Sequence, residues 1–217
     1  MRIFLDTANI EEIKQAARLG VISGITTNPS LISQAKTTNY EAAIKEICSI
    51  IPGPVSTEVV VEGVAAMLKQ ARQIASWAPN IVIKIPSTAE GLEVTSILTR
   101  EKIKVNFTLC FSVNQALLAA EAGATYISPF VGRLDDIGQD GMQLVEDIVK
   151  IYKNYPQIKT EVIAASIRHP EHCIRAAKIG AHIATLPYKV LLQMIQHPLT
   201  DIGIKRFLAD FKSVSQQ

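Results

Sequence analysis

Short runs of β-branched and aliphatic residues recur along the chain and are separated by longer, more polar stretches. The runs are IFLD from Ile3, GITTN from Gly24, STEVV from Ser56, IVIKIP from Ile81, KVNFTL from Lys104, TYISPF from Thr125, EVIAAS from Glu161 and HIATLP from His182. Successive runs begin between 21 and 36 residues apart. Runs of this length and composition predict eight buried β-strands.

The stretches between the runs carry apolar residues three and four positions apart, which predicts amphipathic helices. Examples are NIEEIKQAARLG, NQALLAAEAG and PEHCIRAAKIG, each with a glycine at or near its end. Strands that alternate with helices at this spacing predict βαβ units and a parallel sheet. Eight units favour a (β/α)8 TIM barrel, formed as a single domain by residues 1–217.

An open, doubly wound α/β sheet is the competing architecture. That fold usually carries a glycine-rich turn after its first strand, whereas here the first strand continues into LDTANIEE. After the eighth strand, the pattern predicts one helix to about His197 and an extra C-terminal helix over residues 199–212. A barrel does not need this last helix, so it either packs on a neighbouring subunit or covers the side of the barrel.

Composition and charge narrow the class of protein. The 217 residues are 48% apolar and carry a net charge of only +2, which gives no electrostatic footprint for nucleic acid or a membrane surface. No apolar run approaches the roughly 20 residues of a spanning helix, and the early acid Asp6 does not suit a signal peptide. Three widely spaced cysteines indicate free thiols and a cytoplasmic location.

Polar side chains lie where the predicted strands end, which is where a (β/α)8 barrel places its functional groups. Seven of the eight strands deliver one: Asp6, Thr26 with Asn28, Glu58, Lys84, Asn106 with Thr108, Ser128, and Ser166 with Arg168 just beyond. Arg133 follows the sixth strand. Each has an ordinary alternative; Asp6 would begin a helix cap, and Arg133 would pair with a nearby aspartate. Their coincidence at one end of the barrel indicates a site.

Lys84 is the most informative of these residues, because it is a charged amine within a run of aliphatic residues. A structural lysine there would need Asp6 or Glu58 as a permanent partner, and buried ion pairs often contribute little net stability. The alternative is a nucleophile that forms a Schiff base with a carbonyl substrate. Apolar neighbours such as Ile83 and Ile85 are expected to lower the pKa of the amine below its usual value of about 10.4.

The other polar residues suit imine chemistry on a sugar. Imine formation requires proton transfers and loss of water, a task for the Glu58 carboxylate with Thr108 holding a water. Cleavage of the neighbouring carbon–carbon bond requires a base, a task for Asp6. The amides of Asn28 and Asn106 can bind hydroxyl groups through both donor and acceptor atoms.

Two arginines suggest a phosphate site. The guanidinium groups of Arg133 and Arg168 match phosphate in geometry and charge. Pro170, at the predicted first turn of the following helix, brings the positive end of that helix beside Arg168.

Several longer stretches together span nearly the whole chain: FLDTANIEEI, GVISGITTNPSLI, VIKIPSTAEGL, VNFTLCFSVNQALLAAEAGATYISPFVGRLDDIG, AASIRHP and HPLTDIGIKRFLADF. In these stretches the sequence resembles the small transaldolase family, close to the fructose-6-phosphate aldolases. The resemblance implies a (β/α)8 barrel with metal-free chemistry and no cofactor. It also implies Lys84 as the Schiff-base residue, Asp6 as acid/base, and Glu58 with Thr108 as the pair that handles water.

The resemblance further implies the residues that bind substrate. Asn28 and Asn106 match substrate-binding positions, and Ser166, Arg133 and Arg168 match phosphate-binding positions. Ser128 lines the site. The predicted binding set also includes Thr26 and Phe130.

Two residues bear on the branch of the family. Glu58 and Phe130 match transaldolases, whereas the aldolase branch is expected to carry glutamine and tyrosine there. A tyrosine hydroxyl would help to protonate the carbanion after cleavage, and phenylalanine cannot. This favours transfer of a dihydroxyacetone unit between sugar phosphates, with a fructose-6-phosphate aldolase as the near alternative.

The remaining expectations concern assembly and other activities. The resemblance implies a homo-oligomer, ten subunits in two pentamers, with the final helix reaching a neighbour. A barrel that only binds sugar phosphates is an alternative of another class, which would not need Lys84 or Asp6. A metal-dependent aldolase is a further alternative, but His169 and His172, three apart at the start of a helix, are expected to face solvent.

Overall fold

The computed structural model describes residues 1–35 and 39–214, and in these residues eight parallel strands close into a barrel. The strands are β1 (Arg2–Asp6), β2 (Ile22–Thr26), β3 (Val55–Glu58), β4 (Ile81–Pro86), β5 (Val105–Cys110), β6 (Tyr126–Pro129), β7 (Glu161–Ala164) and β8 (Ile183–Leu186). They pair in chain order, and β8 pairs with β1. The predicted (β/α)8 barrel is confirmed.

Helices connect the strands in turn. In the described residues they are α1 (Ile10–Arg18), α2 (Pro29–Gln34), α3 (Tyr40–Ile50), α4 (Val64–Ala75), α5 (Ala89–Arg100), α6 (Val113–Glu121), α7 (Val131–Asp135), α8 (Gly141–Lys153), α9 (Pro170–Ile179), α10 (Tyr188–Ile195) and α11 (Pro198–Val214). The Asn9 side chain accepts hydrogen bonds from the first-turn amides of α1, and Gly180 ends α9 in the left-handed conformation at φ +87°. The extra C-terminal helix is α11.

Two short helices were not predicted from the sequence, and both begin at the carboxyl end of the barrel. α2 follows β2, and the Asn28 side chain caps it by accepting a hydrogen bond from the Leu31 amide at 3.0 Å. α7 follows β6 and carries Arg133. These helices therefore hold two of the predicted site residues at the rim of the barrel.

Strand pairing sets the height of the polar residues within the barrel. Asp6 is opposite Thr26, and Lys84 is opposite Glu58 on one side and Asn106 on the other. Side chains alternate between the interior and exterior faces of a strand, so these residues all face the interior and form a polar layer toward the carboxyl end of the barrel.

An apolar cluster fills the barrel interior below this layer. It consists of Phe4, Val82, Tyr126, Ile163 and Ile183, and the rings of Phe4 and Tyr126 meet edge to face with centroids 6.5 Å apart. Phe4, Val82, Tyr126 and Ile183 each lie two positions before a polar residue on the same strand (Asp6, Lys84, Ser128 and Thr185), so the cluster is the floor of the polar layer. A larger apolar cluster packs between the barrel and the helices.

Two expectations from composition concern membrane-spanning helices and the state of the cysteines. Within residues 1–35 and 39–214, no helix combines the length and hydropathy needed to cross a membrane. Cys48, Cys110 and Cys173 are free thiols, as predicted, and the latter two are buried.

Gly24 makes room for the floor of the barrel, and this generates a stability prediction. A Cβ at this position would lie 2.7 Å from two ring atoms of Phe4 and 2.8 Å from the Pro54 carbonyl oxygen. We expect Gly24→Ala to lower the free energy of unfolding by about 1–3 kcal/mol, because the ring or the backbone must shift. Urea denaturation measures this change. The neighbouring change Ser23→Ala should cost less than about 0.5 kcal/mol, and equal losses at both positions would contradict the packing argument.

Candidate active site

Lys84 lies near the carboxyl end of β4 and is only 4% exposed. Its Nζ donates a hydrogen bond to the Thr27 carbonyl oxygen at 3.0 Å and lies 3.4 Å from Glu58 Oε2. The apolar neighbours Ile83 and Ile85 do not surround the amine, contrary to the expectation from sequence. They face outward into the shell between barrel and helices, because side chains alternate along the strand. The amine therefore meets a carboxylate and a carbonyl oxygen.

Glu58 ends β3 beside Lys84, and its side chain is 16% exposed. Tyr40, the first residue of α3, packs behind this strand: its hydroxyl contacts Thr57 Oγ1 and lies 3.4 Å from the Glu58 carbonyl oxygen. Burial raises the pKa of Tyr40, so its hydroxyl remains protonated and able to donate. These contacts hold the end of β3 and hence the height of the Glu58 carboxylate.

Asp6 ends β1 and belongs to a chain of hydroxyl groups. Thr26 Oγ1 donates to Asp6 Oδ1 at 2.6 Å and lies 2.6 Å from Thr185 Oγ1. A hydroxyl has one proton, so Thr185 must donate to Thr26 when Thr26 donates to Asp6. The alternative interpretation of Asp6 as a helix cap is wrong, because Asn9 caps α1.

The charge on Asp6 is set by opposing influences. Burial is the largest of them and raises the pKa of the Asp6 carboxyl above its ordinary value, while the Thr26 hydrogen bond and the nearby Lys84 charge lower it. The net direction is upward. A carboxyl with a raised pKa takes up and releases protons closer to neutral pH, as an acid/base group must.

Asn106 and Thr108 follow one another on the interior face of β5. Asn106 is fully buried; its Nδ2 donates to Ser56 Oγ at 3.2 Å, and its Oδ1 accepts from Ser128 Oγ at 2.7 Å. Thr108 Oγ1 is buried without a hydrogen-bond partner in the part of the chain that the structure describes. Buried hydroxyl groups normally have partners, so this oxygen is suited to bind a water or a substrate group.

The rim of the barrel carries the two arginines. The Arg133 guanidinium lies over the Phe130 ring, 5.8 Å from its centroid. The ordinary alternative for Arg133 was a pair with Asp135 or Asp136, but among the described residues it is Arg168 that pairs with Asp136, with Nη2 and Oδ2 2.8 Å apart. Ser166 adopts the left-handed conformation at φ +58°, which is uncommon for a residue other than glycine and often marks a functional site.

A cavity of about 320 Å³ opens at this end of the barrel. Ten of the twelve predicted site residues line it: Asp6, Thr26, Asn28, Lys84, Thr108, Ser128, Phe130, Arg133, Ser166 and Arg168. The other two support residues that line the cavity: Glu58 contacts Lys84, and Asn106 contacts Ser128. The structure thus brings the predicted set together, and their chemical roles stay predictions.

Two polar residues of this cavity, Thr185 and Lys189, were not predicted from the sequence. Thr185 lies on β8 in HIATLP, and its alternation with Ile183 on that strand was a signal that could have found it. Lys189 follows in α10, where a lysine on a helix carries no such signal.

His172 is buried, so the expectation that it faces solvent is wrong, although His169 is exposed. The Nε2 of His172 lies 3.0 Å from Asp135 Oδ2, and the Nδ1 of His172 accepts a hydrogen bond from the Arg168 amide at 3.3 Å. Among the described residues, no group of three or more His, Cys, Asp or Glu side chains is placed to hold a metal ion.

The sequence profile of the family described as Transaldolase/Fructose-6-phosphate aldolase matches residues 3–217. The chain belongs to this family. The resemblance inferred from its motifs is therefore confirmed.

Relatives match the transaldolase-family chain over all or nearly all of its length. A probable transaldolase of Dehalococcoides mccartyi is 63% identical over 217 residues, which is 100% of both chains. A probable transaldolase of Caldicellulosiruptor saccharolyticus is 58% identical, again over 100% of both. One of Thermoanaerobacter sp. is 58% identical over 98% of this chain and 97% of its own. These names support an enzyme of the transaldolase type.

The raised pKa of Asp6 in this transaldolase-family barrel predicts a pH-dependent stability difference. Between the ordinary and the raised pKa, the folded state binds more protons than the unfolded state, so stability falls as pH rises through that window. We expect Asp6→Asn to be more stable than the wild type at pH 8, by about 1.4 kcal/mol per unit of pKa elevation. The gain should disappear below about pH 4, as measured by urea denaturation across pH.

An exposed carboxylate provides the control for this prediction. Glu62→Gln, on the loop after β3, should change stability by less than about 0.5 kcal/mol. If Asp6→Asn destabilised the protein at pH 8 and not at pH 4, the direction of the Asp6 shift would be refuted.

Proposed function

We propose that the protein is a transaldolase that moves a dihydroxyacetone unit from sedoheptulose 7-phosphate or fructose 6-phosphate to glyceraldehyde 3-phosphate or erythrose 4-phosphate. This reaction belongs to the non-oxidative branch of the pentose phosphate pathway. The observation that carries the proposal is the buried Lys84 amine, placed between Glu58 and the cavity that Asp6 also lines.

The first stage joins Lys84 to the donor sugar. The neutral amine attacks the C2 ketone, and the resulting carbinolamine loses its hydroxyl as water to give an iminium ion. Glu58, 3.4 Å from Nζ, is placed to accept and return protons. The Thr108 hydroxyl, buried without a partner among the described residues, is placed to hold the water that relays them.

The second stage breaks the carbon–carbon bond. Asp6 takes the proton of the C4 hydroxyl, the C3–C4 bond breaks, and its electron pair moves into the iminium to form an enamine on Lys84. The aldose phosphate leaves. An acceptor aldehyde then adds to the enamine, and the steps run in reverse. The iminium is the electron sink, so we propose that the reaction needs no metal.

The arginines at the rim are proposed to hold the substrate phosphate. Arg133, Ser166 and Arg168 lie on the same cavity as Lys84, so one sugar phosphate can reach both groups. The pair between Arg168 and Asp136 is exposed, at 51% and 62% of the side-chain surface. An exposed pair is weakly held, so a phosphate can displace the aspartate.

Transfer is favoured over simple cleavage by the side chain at position 130. Phe130 lines the cavity and has no proton to give to the enamine. Without a nearby donor at this position, the three-carbon unit stays on Lys84 until an acceptor arrives. A fructose-6-phosphate aldolase would release that unit unaided.

A barrel that only binds sugar phosphates is the alternative of another class. Such a protein would need the arginines and Ser166 alone. The buried Lys84 amine and the raised pKa of Asp6 disfavour it, because both features cost stability and neither binds phosphate.

Borohydride trapping tests the proposal. With fructose 6-phosphate, we expect a reduced three-carbon adduct on the peptide that contains Lys84, detected by intact mass and peptide mapping. Erythrose 4-phosphate added before the borohydride should discharge the adduct. Lys84→Ala should give no adduct and lower kcat at least about a thousandfold.

The outcomes separate the candidate functions. Lys69→Ala, an exposed lysine on α4, is the matched control and should trap and turn over like the wild type. Release of dihydroxyacetone without an acceptor would favour the aldolase. Unchanged turnover in Lys84→Ala would contradict the Schiff-base mechanism.

We also propose a homo-oligomer, ten subunits in two pentamers, in which α11 packs on a neighbouring subunit. The support is the exposure of its large apolar side chains: Leu199, Ile202, Ile204, Phe207, Leu208 and Phe211 are each 52–73% exposed. A helix that covered the side of its own barrel would bury some of them.

The free thiols support a cytoplasmic location.

The helix proposal predicts that one side chain controls assembly. Phe207 is 73% exposed, and we expect Phe207→Ser to shift the protein toward smaller species in size-exclusion chromatography with light scattering, because an interface loses an aromatic anchor. Lys205→Ser on the same helix should leave the mass unchanged. A monomeric wild type would contradict the proposal.

A further inference from the structure

His172 occupies a position in the fold that the proposed chemistry does not use. It lies in the first turn of α9, and its side chain is 7% exposed. Nδ1 accepts the backbone N–H of Arg168 at 3.3 Å, and Nε2 lies 3.0 Å from Asp135 Oδ2. One buried ring thus joins the loop after β7 to the C-terminal end of α7.

Those two segments carry the residues proposed to bind phosphate. Arg133 lies in α7, and Arg168 lies in the loop after β7. The backbones are already close, since the Gly132 amide donates to the Ser166 carbonyl at 3.0 Å. A Cβ on Gly132 would lie 2.4 Å from Arg168 Nε. The Arg168 stem is therefore packed against α7, and small shifts of its backbone move the guanidinium.

The hydrogen bonds define the protonation state that this arrangement needs. Nδ1 accepts from an amide and so carries no proton, which leaves the proton on Nε2 to donate to Asp135. Burial, then His169, lowers the pKa of His172, with smaller lowering from Arg175 and Arg168, while Asp135 raises it; the net direction is downward. The neutral ring is the form that holds Arg168.

We propose that His172 is a positioning residue for the phosphate site: its Nδ1 holds the Arg168 backbone so that the guanidinium faces the substrate phosphate. This inference rests on the proposed function. It assigns His172 no contact with substrate, and it predicts an effect on phosphate recognition that spares the chemistry at Lys84.

Two substitutions separate the two ring nitrogens. The amide oxygen of His172→Asn can occupy the position of Nδ1 and keep the contact with Arg168, while the contact with Asp135 is lost. The amide of His172→Gln can occupy the position of Nε2 and keep the contact with Asp135, while the contact with Arg168 is lost. Arg168→Ala removes the guanidinium and shows the effect of its complete loss on phosphate recognition. Thermal unfolding confirms that each variant is folded.

The measurement compares glyceraldehyde 3-phosphate with unphosphorylated D-glyceraldehyde as acceptors. We expect His172→Gln to raise KM for the phosphorylated acceptor about three- to tenfold, with kcat and the KM for D-glyceraldehyde unchanged. His172→Asn should stay within about twofold of the wild type for both acceptors. A purely structural role would affect both acceptors alike.

Several results would overturn the inference. An equal rise in KM in His172→Asn and His172→Gln would do so. An equal rise in KM for both acceptors, or an unchanged KM in His172→Gln, would also do so. Borohydride trapping with dihydroxyacetone separates this failure from failure of the proposed function. An adduct on Lys84 in wild type and in His172→Gln leaves the transaldolase mechanism standing, whereas no adduct in the wild type overturns both.

Discussion

The burial of one amine at the end of β4 constrains the whole site. An ammonium group taken from water needs oxygen partners, and Lys84 finds them in the Thr27 carbonyl and the Glu58 carboxylate. Thr27 directly follows β2, and Glu58 ends β3. Asp6, half-buried with a raised pKa on the same cavity, adds a second unfavourable group. The apolar floor and the outer shell of the barrel must supply the stability that these two groups cost.

The strand pattern predicted the barrel because β-branched runs that alternate with helical segments are compatible with few other folds. It also predicted which polar residues gather, since the carboxyl ends of parallel strands meet at one edge. Ten of the predicted site residues line the cavity for this reason. Glu58 and Asn106 show the limit of the argument: the sequence placed them at the correct height, but only the packing decides whether a side chain reaches the cavity or supports a neighbour.

The wrong predictions about side-chain surroundings have a common physical origin, which is the direction in which a side chain points. Ile83 and Ile85 are sequence neighbours of Lys84 and yet face the opposite side of the strand. His172 was expected in solvent because it lies at the start of a helix, but its ring points toward Asp135 at the end of α7 and is buried there. The short helices α2 and α7 have too few residues for a periodic signal, so their positions depended on the barrel rather than on local sequence.

The loops after β6 and β7 are joined through their backbones as well as through His172. The Val131 amide donates to the Ala165 carbonyl at 2.9 Å, and the Gly132 amide donates to the Ser166 carbonyl at 3.0 Å. Such a rim has already lost most of its conformational freedom on folding. The sugar phosphate that we propose binds there would have little ordering entropy to overcome, so its affinity would depend mainly on how well its shape and charge fit an existing surface.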